Sequence, residues 1–339
     1  TPRSSSAASD VYKRQFGSTT LMEILYAIFV APFLEMGAYP DLFIQALWDG
    51  FVSGTLYGLI ALGFVLIFKA SGVFNFSQPI LVVLAALSLV SFYQMGIPAW
   101  ISVILVLVMF YALAWLIERL ILRQLVNQDG NILFMSTIGL TFIIIGAAQW
   151  IFGGVPSAMI TNELGLPNGS LEWPVFGGGV YFEMIDVSAA VIAVIMIVIL
   201  AVFFSKTKIG RGLRAVADDH QAALSVGISL NQIWVIVWFV AGIVALVTGI
   251  FWGARSDVSF ALQIIGFKAL PVLIIGGFTS IQGAIIGGLI IGLGEKIFEI
   301  YWGPLLGSGV EGWFAYVIAL VFLLYRPQGL FGDKLIERV

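Results

Sequence analysis

Apolar residues run along this chain in long stretches that do not alternate with polar positions, as in VSAAVIAVIMIVILAVFF at 187–204. A helix rises about 1.5 Å per residue, so about 20 apolar residues cross the hydrocarbon core of a bilayer. Strands of a membrane barrel would alternate polar and apolar positions over about ten residues. The pattern therefore predicts membrane-spanning helices at 44–68, 79–95, 99–117, 132–152, 185–204, 232–253, 263–278, 284–300 and 312–325.

The segment 24–39 is also apolar, but it contains Pro32 and Glu35 and is followed by Pro40. It is either a further span or a helix that lies in the membrane interface. The predicted fold class is all-α, a polytopic helical membrane protein with about nine or ten transmembrane helices.

Composition agrees with lipid as the solvent for most of the chain. Of its 339 residues, 60% are hydrophobic and 10% are charged, against about 25% charged in an ordinary soluble domain. This excludes a soluble enzyme and a disordered chain. The chain has no cysteine and one histidine, His220, which excludes disulfides, thiolate metal sites and multi-histidine clusters. A net charge of −3 gives no indication of a nucleic-acid partner.

The first residues differ from everything that follows. The stretch TPRSSSAASDVYKRQ at 1–15 is polar and serine-rich, and it resembles translated vector or adapter sequence. We therefore expect 1–21 to be a non-native or disordered tail, with Met22 as a plausible start, and 22–339 to form a single membrane domain. A natural disordered tail is the alternative.

Positive residues indicate the orientation, because they stay on the cytoplasmic side of a membrane. They fall in three segments and comprise Arg119, Arg123, Lys206, Lys208, Arg211, Arg214, Arg326, Lys334 and Arg338. The segment 154–184 contains Glu163, Glu172 and Glu183 and no basic residue. Alternation of the spans predicts that 205–231 and the C-terminus are cytoplasmic and that 154–184 is a periplasmic loop.

Motifs of catalytic and nucleotide-binding sites are absent from the sequence: there is no GxxxxGK[ST], HExxH or GxSxG. The charged residues of the spans, such as Lys69, Lys268 and Glu295, lie towards their ends, which disfavours a proton relay or a voltage sensor. The sequence does not exclude a transporter that is coupled to sodium ions bound by backbone carbonyls and hydroxyls. We therefore rank a transporter first, a channel second and an enzyme third, with no metal or cofactor of its own.

Glycines recur at four-residue spacing in two spans. The sets are Gly50, Gly54 and Gly58; Gly283 and Gly287; and Gly288 and Gly292. In lipid such spacing lets helix backbones approach closely. The sets predict either tight static packing or a contact that slides during a conformational change.

Two polar segments interrupt the apolar pattern. The first, at 72–79, holds Asn75, Ser77 and Gln78, with Pro79 suited to the first turn of the next helix. The second, at 276–283, holds Thr279, Ser280 and Gln282. Paired interruptions in two halves indicate a transport site or a repeat. The alternative is that each is a capped turn at the membrane surface.

The segment 205–231 begins with a basic stretch, and the order of its residues then predicts a helix of about ten residues. Acidic Asp218 and Asp219 lie near its start, small Ala222 and Ala223 follow, and Gly227 ends it. Such a ridge suits a groove on another protein, and an ordinary linker helix is the alternative.

From about Ala46 to the C-terminus, the chain resembles the LivH-type permease subunits of bacterial ABC importers for branched-chain amino acids. The resemblance is carried by GTLYGLIALGFVLIF at 54–68, GVFNFSQ at 72–78, KTKIGRGLRAVADDHQAALSVGIS at 206–229, KALPVLIIGGFTSIQGAIIGGLIIGLGE at 268–295 and YRPQGLFG at 325–332. After GVFNFSQ this chain has Pro79-Ile80, where the family usually has glycine and an acidic or small residue.

The resemblance implies an assembly in the bacterial inner membrane. A second, similar permease subunit, two cytoplasmic ATPase subunits that bind the ATP, and a periplasmic substrate-binding protein would complete the importer. The helix around Asp218, Asp219, Ala222, Ala223 and Gly227 would dock into an ATPase. Residues along or near the translocation path would be Asn75, Ser77, Gln78, Thr279, Ser280 and Gln282.

Three alternatives remain at this point. An importer of urea or short amides from the same family would differ in its cargo. An ion-coupled secondary transporter would work without ATPases, and a channel would conduct downhill without ATP.

Overall fold

The computed structural model describes residues 21–72, 74–125, 128–153, 156–175, 178–218 and 229–332. In chain order the helices are α1 (Leu21–Phe29), α2 (Ala31–Ala38), α3 (Pro40–Ser71), α4 (Gln78–Gln94), α5 (Ala99–Ile117), α6 (Gly130–Phe152), α7 (Met184–Lys206), α8 (Lys208–Asp218), α9 (Leu230–Ser256), α10 (Leu262–Phe267), α11 (Ala269–Gly276), α12 (Ile281–Tyr301), α13 (Gly303–Leu306) and α14 (Phe314–Tyr325). A π-helical turn at Glu118–Leu122 extends α5, and a 3₁₀ turn spans Val310–Gly312.

The nine predicted spans all coincide with helical segments. Six helices of the described chain are long and apolar enough to cross a membrane: α3, α5 with its extension, α6, α7, α9 and α12. The segments α4, α10 with α11, and α14 are shorter but apolar. The structure confirms the all-α, multi-pass prediction.

The ambiguous segment 24–39 forms two short helices rather than one span. The helices α1 and α2 have nine and eight residues, and the chain breaks between them at Val30. Each is about 12–14 Å long, whereas the hydrocarbon core of a bilayer is about 30 Å thick. Neither helix adds a span, so the segment has the form of the interfacial alternative.

The predicted span at 263–278 is broken into α10 and α11 at Lys268. Pro271 lies in the first turn of α11 and has no N–H to donate to the carbonyl of Phe267. Its ring also crowds that carbonyl, so the helix that precedes it ends at Phe267.

Glycines on α3 and α12 bring the two backbones into direct contact. A Cβ on Gly54 would lie 2.8 Å from the carbonyl oxygen of Gly288, and one on Gly50 would lie 2.9 Å from that of Gly292. These distances are shorter than real Cβ contacts, so a larger residue at either position would push the helices apart. The predicted close packing of these two sets is confirmed.

The opposite face of α12 packs on α11 in the same way. A Cβ on Gly287 would lie 2.5 Å from the carbonyl oxygen of Val272, and one on Gly283 would collide with the carbonyl of Gly276. Helix α12 is therefore held between α3 and α11 by backbone contacts on both sides.

A buried ion pair lies at the same junction. Lys268 Nζ is 2.7 Å from Glu295 Oε1, and the Tyr57 hydroxyl donates to the same oxygen at 3.2 Å. The Lys268 ammonium also lies 5.7 Å from the centroid of the Tyr57 ring. Glu295 is fully buried, and the cation and the hydroxyl both meet its Oε1, whereas its Oε2 has no hydrogen-bond partner among the described residues. The two contacts therefore offset part of the cost of a carboxylate that has lost its water.

The segment predicted as an acidic loop contains a β-hairpin. Strand β1 (Ser170–Val175) pairs antiparallel with β2 (Gly178–Glu183), with Glu172 opposite Tyr181. The hairpin rests on the start of α3, where Tyr181 N–H donates to Gln45 Oε1 at 2.8 Å. Phe182 and Trp48 pack edge to face at 4.9 Å.

Long-range contacts sort the connections into two ends of the bundle. One end, called the basic end, holds Lys69, Arg123, Lys206, Lys208, Arg211, Arg214 and Arg326. The other end, called the hairpin end, holds the hairpin, Glu183 and Asp186. At the basic end, Trp234 Nε1 donates to the carbonyl of Ala70, which joins the start of α9 to the end of α3. The predicted grouping of the basic segments therefore agrees with the described residues, and Lys334 and Arg338 lie outside them.

We expect Gly54→Ala to destabilise the protein, because its Cβ would meet the Gly288 carbonyl and force α3 away from α12. Overpacking of this kind costs about 1–3 kcal/mol. The measurement is the midpoint of thermal unfolding in detergent. Gly146→Ala is the matched control, since nothing lies within 4 Å of its Cβ and alanine favours a helix by about 1 kcal/mol. A Gly54→Ala protein as stable as the control would contradict the close contact.

We expect Lys268→Met to destabilise the protein by about 3–5 kcal/mol, because it leaves Glu295 charged and buried without a cation. The double variant Lys268→Met/Glu295→Gln should recover most of this loss, since the amide is neutral. Thermal unfolding in detergent measures both. Lys296→Met is the control, because its partner Glu311 is half exposed. A double variant no more stable than Lys268→Met would rule out this explanation.

Candidate functional site

The first polar segment lies inside the bundle. Asn75, Ser77 and Gln78 are fully buried. Asn75 Oδ1 accepts hydrogen bonds from the backbone N–H of Ser77 at 3.0 Å and from its hydroxyl at 2.5 Å. Gln78 Nε2 donates to the carbonyl of Ala241 on α9 at 3.3 Å. The segment is therefore a folded turn that places three polar side chains among apolar helices.

The turn follows from the residues on both sides of it. Gly72 ends α3 in the left-handed conformation with φ 68°, and its N–H donates to the carbonyl of Phe68 at 2.8 Å. Pro79 lies in the first turn of α4, where its missing N–H costs nothing. The predicted position of Pro79 is confirmed.

Two polar atoms in this turn have no hydrogen-bond partner among the described residues. They are Asn75 Nδ2, a donor, and Gln78 Oε1, an acceptor. A buried group of this kind costs about 1–3 kcal/mol when it is left unsatisfied. The turn thus presents a free donor and a free acceptor within a buried part of the bundle.

The second polar segment is a capped turn between α11 and α12. Gly277 has φ 103°, and the hydroxyl of Ser280 accepts a hydrogen bond from the N–H of Gly283 at 3.0 Å. Thr279 is half-buried and Gln282 is exposed. The hydroxyl of Ser280 is therefore engaged in capping α12.

The C-terminal part of the described chain covers this turn. The backbone N–H groups of Leu330 and Phe331 donate to the carbonyls of Ile275 and Gly276 at 2.7 Å and 3.1 Å. The last two carbonyls of α11 thus find their partners in the stretch GLFG of the tail.

Aromatic rings join the two polar segments. Phe74 stacks on Phe64 at 5.1 Å and meets Phe278 edge to face at 6.0 Å. The two turns therefore lie side by side at the basic end. Among the described residues, no hydrogen bond joins the predicted path residues of one turn to those of the other.

Gln282 faces a cavity at the basic end. The cavity has a volume of about 330 Å³, and its lining includes Lys69, Ser205 and Arg214. Gln282 is the predicted path residue that lies on an open surface of this kind. The cavity sits between the end of α3 and the corner where α7 turns into α8.

The predicted docking residues fall largely outside the described part of the chain. Asp218 is the last residue of α8, while Asp219, Ala222, Ala223 and Gly227 lie outside the described residues. The helix expected to open near Asp218 is therefore not described. The basic stretch before it, for which no helix is predicted, forms α8.

A polar cavity at the hairpin end was missed by sequence reasoning. It has a volume of about 340 Å³, and its lining includes Asp49, Glu183, Asp186, Arg255 and Lys296. Arg255 holds Asp186 by two contacts, Nε to Oδ1 at 3.0 Å and Nη2 to Oδ2 at 3.1 Å. Asp186 and Arg255 occupy the first turn of α7 and the last turn of α9, but nothing in the sequence tells that these two ends meet.

Beside this cavity, Lys296 pairs with Glu311 in the 3₁₀ turn. Burial opposes ionisation of Glu311, but the Lys296 ammonium more than offsets it, so the pKa of Glu311 lies below its ordinary value. Glu311 therefore carries a charge at neutral pH. In the described ranges, no group of three or more acidic or histidine side chains is arranged to hold a metal ion.

The described chain thus has a cavity at each end of the bundle, a polar one at the hairpin end, and a closely packed centre. Tyr57, Phe64 and Phe110 are among the largest fully buried side chains between the two ends. Passage of a solute through the bundle from one cavity to the other would require the packed centre to rearrange.

Comparison with known proteins identifies the family. Residues 46–325 match the family described as "Branched-chain amino acid transport system / permease component". The high-affinity branched-chain amino acid transport system permease protein LivH of Escherichia coli is 26% identical over 314 residues, which cover 88% of this chain and 98% of that protein.

Two further relatives show the range of the similarity. The permease protein BraD of the high-affinity branched-chain amino acid transport system of Pseudomonas aeruginosa is 26% identical over 314 residues, 88% of this chain and 98% of that protein. The fructose import permease protein FruF of Bifidobacterium longum is 25% identical over 287 residues, 80% of this chain and 75% of that protein.

The match covers the bundle from α3 to the end of α14, and it agrees with a multi-pass helical chain that has no catalytic motif. The chain therefore belongs to the permease family of branched-chain amino acid transport systems, as a membrane transport subunit and not an enzyme.

Proposed function

We propose that this chain is the membrane-spanning permease subunit of an ABC importer that moves branched-chain amino acids across the bacterial inner membrane. The observation that carries the proposal is the family match over 46–325, together with full-length relatives that are branched-chain amino acid permeases. The importer would comprise this chain, a second permease subunit, two cytoplasmic ATPases and a periplasmic binding protein.

The source of energy lies outside this chain in the proposal. Its sequence has no GxxxxGK[ST] loop to cradle nucleotide phosphates. On closure the ATPases would pull on 205–231, the two permeases would open outward to accept the solute, and they would reopen inward after hydrolysis. The residues we assign to ATPase docking are Asp218, Asp219, Ala222, Ala223 and Gly227.

The basic end would face the cytoplasm. Positive residues are retained on that side, and most of the described ones lie at one end of the bundle, whereas Arg255 and Lys296 at the other end are paired with carboxylates. This orientation puts the C-terminus and α8 in the cytoplasm, and it turns the hairpin and the acidic segment 154–184 towards the periplasmic binding protein.

The translocation path would pass the two polar turns. Support comes from the free donor of Asn75 and the free acceptor of Gln78, which could bond to a passing solute or to water. Gln282 would line the path where it opens at the basic end. Ser77, Thr279 and Ser280 would shape the turns beside it.

We expect the purified chain in liposomes neither to hydrolyse ATP nor to accumulate leucine. Addition of the second permease, the ATPases and the binding protein should give ATP-dependent accumulation, because the gradient is then driven by hydrolysis. Uptake of radiolabelled leucine, with ATP enclosed, measures this. Accumulation by the chain alone under an ion gradient would indicate a secondary transporter, and downhill flux without ATP would indicate a channel.

The same assay tests the cargo separately from the permease assignment. Excess valine and isoleucine should compete with leucine, whereas urea and fructose should not. If urea were transported and the branched-chain amino acids were not, the assignment of the cargo would be wrong, while the assignment of the chain as an importer permease would stand.

We expect the double variant Asp218→Arg/Gly227→Trp to abolish ATP-dependent uptake and copurification of the ATPases. The arginine reverses a charge and the tryptophan adds bulk at two of the residues that we assign to ATPase docking. The matched control is Asp129→Arg/Gly146→Trp, which makes the same changes at an exposed turn and on an open face of α6. Intact uptake and assembly in the first variant would show that docking occurs elsewhere.

A further inference from the structure

Helix α8 is an amphipathic helix fixed at the corner that follows α7. Its Gly210, Leu213 and Val216 are buried, three residues apart, whereas Lys208 and Arg211 are exposed on another face. The backbone N–H of Gly210 donates to the hydroxyl of Thr207 at 3.0 Å. The orientation of the basic face is therefore set by packing on the opposite face.

A hydrogen bond from Arg214 to the end of α7 also holds α8 in this orientation. Arg214 Nη1 donates to the carbonyl of Phe204 at 2.5 Å, so this arginine satisfies a carbonyl at the end of α7. Lys208 and Arg211 have no ion-pair partner among the described residues. Residues three apart on a helix are neighbours, with about 5–6 Å between their Cβ atoms. Lys208 and Arg211 can therefore bind the same anionic group.

A groove of about 480 Å³ opens between this basic face and the start of α9. Lys208 and Arg211 line one side, and Ile209, Ile233 and Ile236 supply apolar walls. No carboxylate is among the described residues that line it. The groove thus combines apolar surface at the end of a membrane span with two cations that have no ion-pair partner in the described part of the chain.

The groove continues across α9 into a neighbouring cavity. Gln232 and Ile236 line both, and the second cavity, of about 320 Å³, adds the aromatic side chains Tyr111 and Trp115. Arg123 of that cavity is already paired with Glu118, at 3.0 Å from Nε to Oε1. The positive charge that no described carboxylate pairs with therefore lies on the α8 side, and the larger apolar surface lies on the α9 side.

We propose that this groove binds an anionic phospholipid of the surrounding membrane, with the phosphate between Lys208 and Arg211 and an acyl chain along Ile233 and Ile236. Basic pockets between membrane helices recognise anionic lipid headgroups by this combination of charge and apolar walls. A soluble anion would use the two cations but not the isoleucines. The inference does not depend on which solute the protein moves.

The experiment is native mass spectrometry of the full chain in detergent with phosphatidylglycerol or phosphatidylcholine added. The first phosphatidylglycerol should bind more tightly than phosphatidylcholine. Lys208→Gln/Arg211→Gln should weaken phosphatidylglycerol binding by about 25-fold, about fivefold for each cation removed, and leave phosphatidylcholine unchanged. Inorganic phosphate at millimolar concentration should not compete.

The control is Lys206→Gln/Arg326→Gln, which removes two exposed cations from the same end but none that line the groove. This variant should bind phosphatidylglycerol as the unaltered chain does, and monodisperse elution of both variants in detergent shows that they are folded. Equal losses in the two variants would show general charge attraction, and competition by phosphate would show a soluble-anion site. Unchanged lipid binding in Lys208→Gln/Arg211→Gln, together with loss of ATPase copurification, would show that this face docks a protein. Each of these three results would overturn the proposal.

Discussion

The direct backbone contact of α12 with α3 on one side and α11 on the other is the constraint on which the bundle depends. Lipid supplies no hydrophobic drive between helices, so their association relies on close packing and internal polar contacts. Glycines at 54 and 288 allow the α3 contact, and glycines at 283 and 287 allow the α11 contact. The pair Lys268–Glu295 sits at this junction, and the tail at 330–331 completes the end of α11.

The polar groups of the protein are distributed in a way that suits a gate moved by other subunits. Its charges are paired inside, as in Lys268–Glu295, or gathered at the two ends. The first polar turn keeps a donor on Asn75 and an acceptor on Gln78 without partners. Neutral groups of this kind can contact a solute in passing without a strong charge to hold it, which is consistent with the proposed role.

Much of the fold was predictable because spans in lipid must satisfy their backbone internally and be apolar over about 20 residues. All nine predicted spans coincide with apolar helical segments of the described chain, six of them long enough to cross a membrane, and the glycine spacing indicated close packing. The break at Lys268 was missed, although Pro271 was a signal for it. The hairpin at 170–183 was missed because its strands are short and lie in a segment whose acidic residues dominate the pattern. Of the candidate path residues, the structure accounts for Ser280 as a helix cap, and the roles of the others remain predictions.

The sequence by itself determined the all-α membrane class, the positions of the apolar helices, the grouping of basic segments and the family, because each depends on local composition, spacing or motif order. Only the tertiary structure decided which ends meet: Asp186 with Arg255, Lys268 with Glu295 and Tyr57, and Lys208 with the start of α9. These contacts join residues far apart in the chain. Their partners depend on how the helices pack, and the periodicity of one helix does not indicate which other helices it contacts.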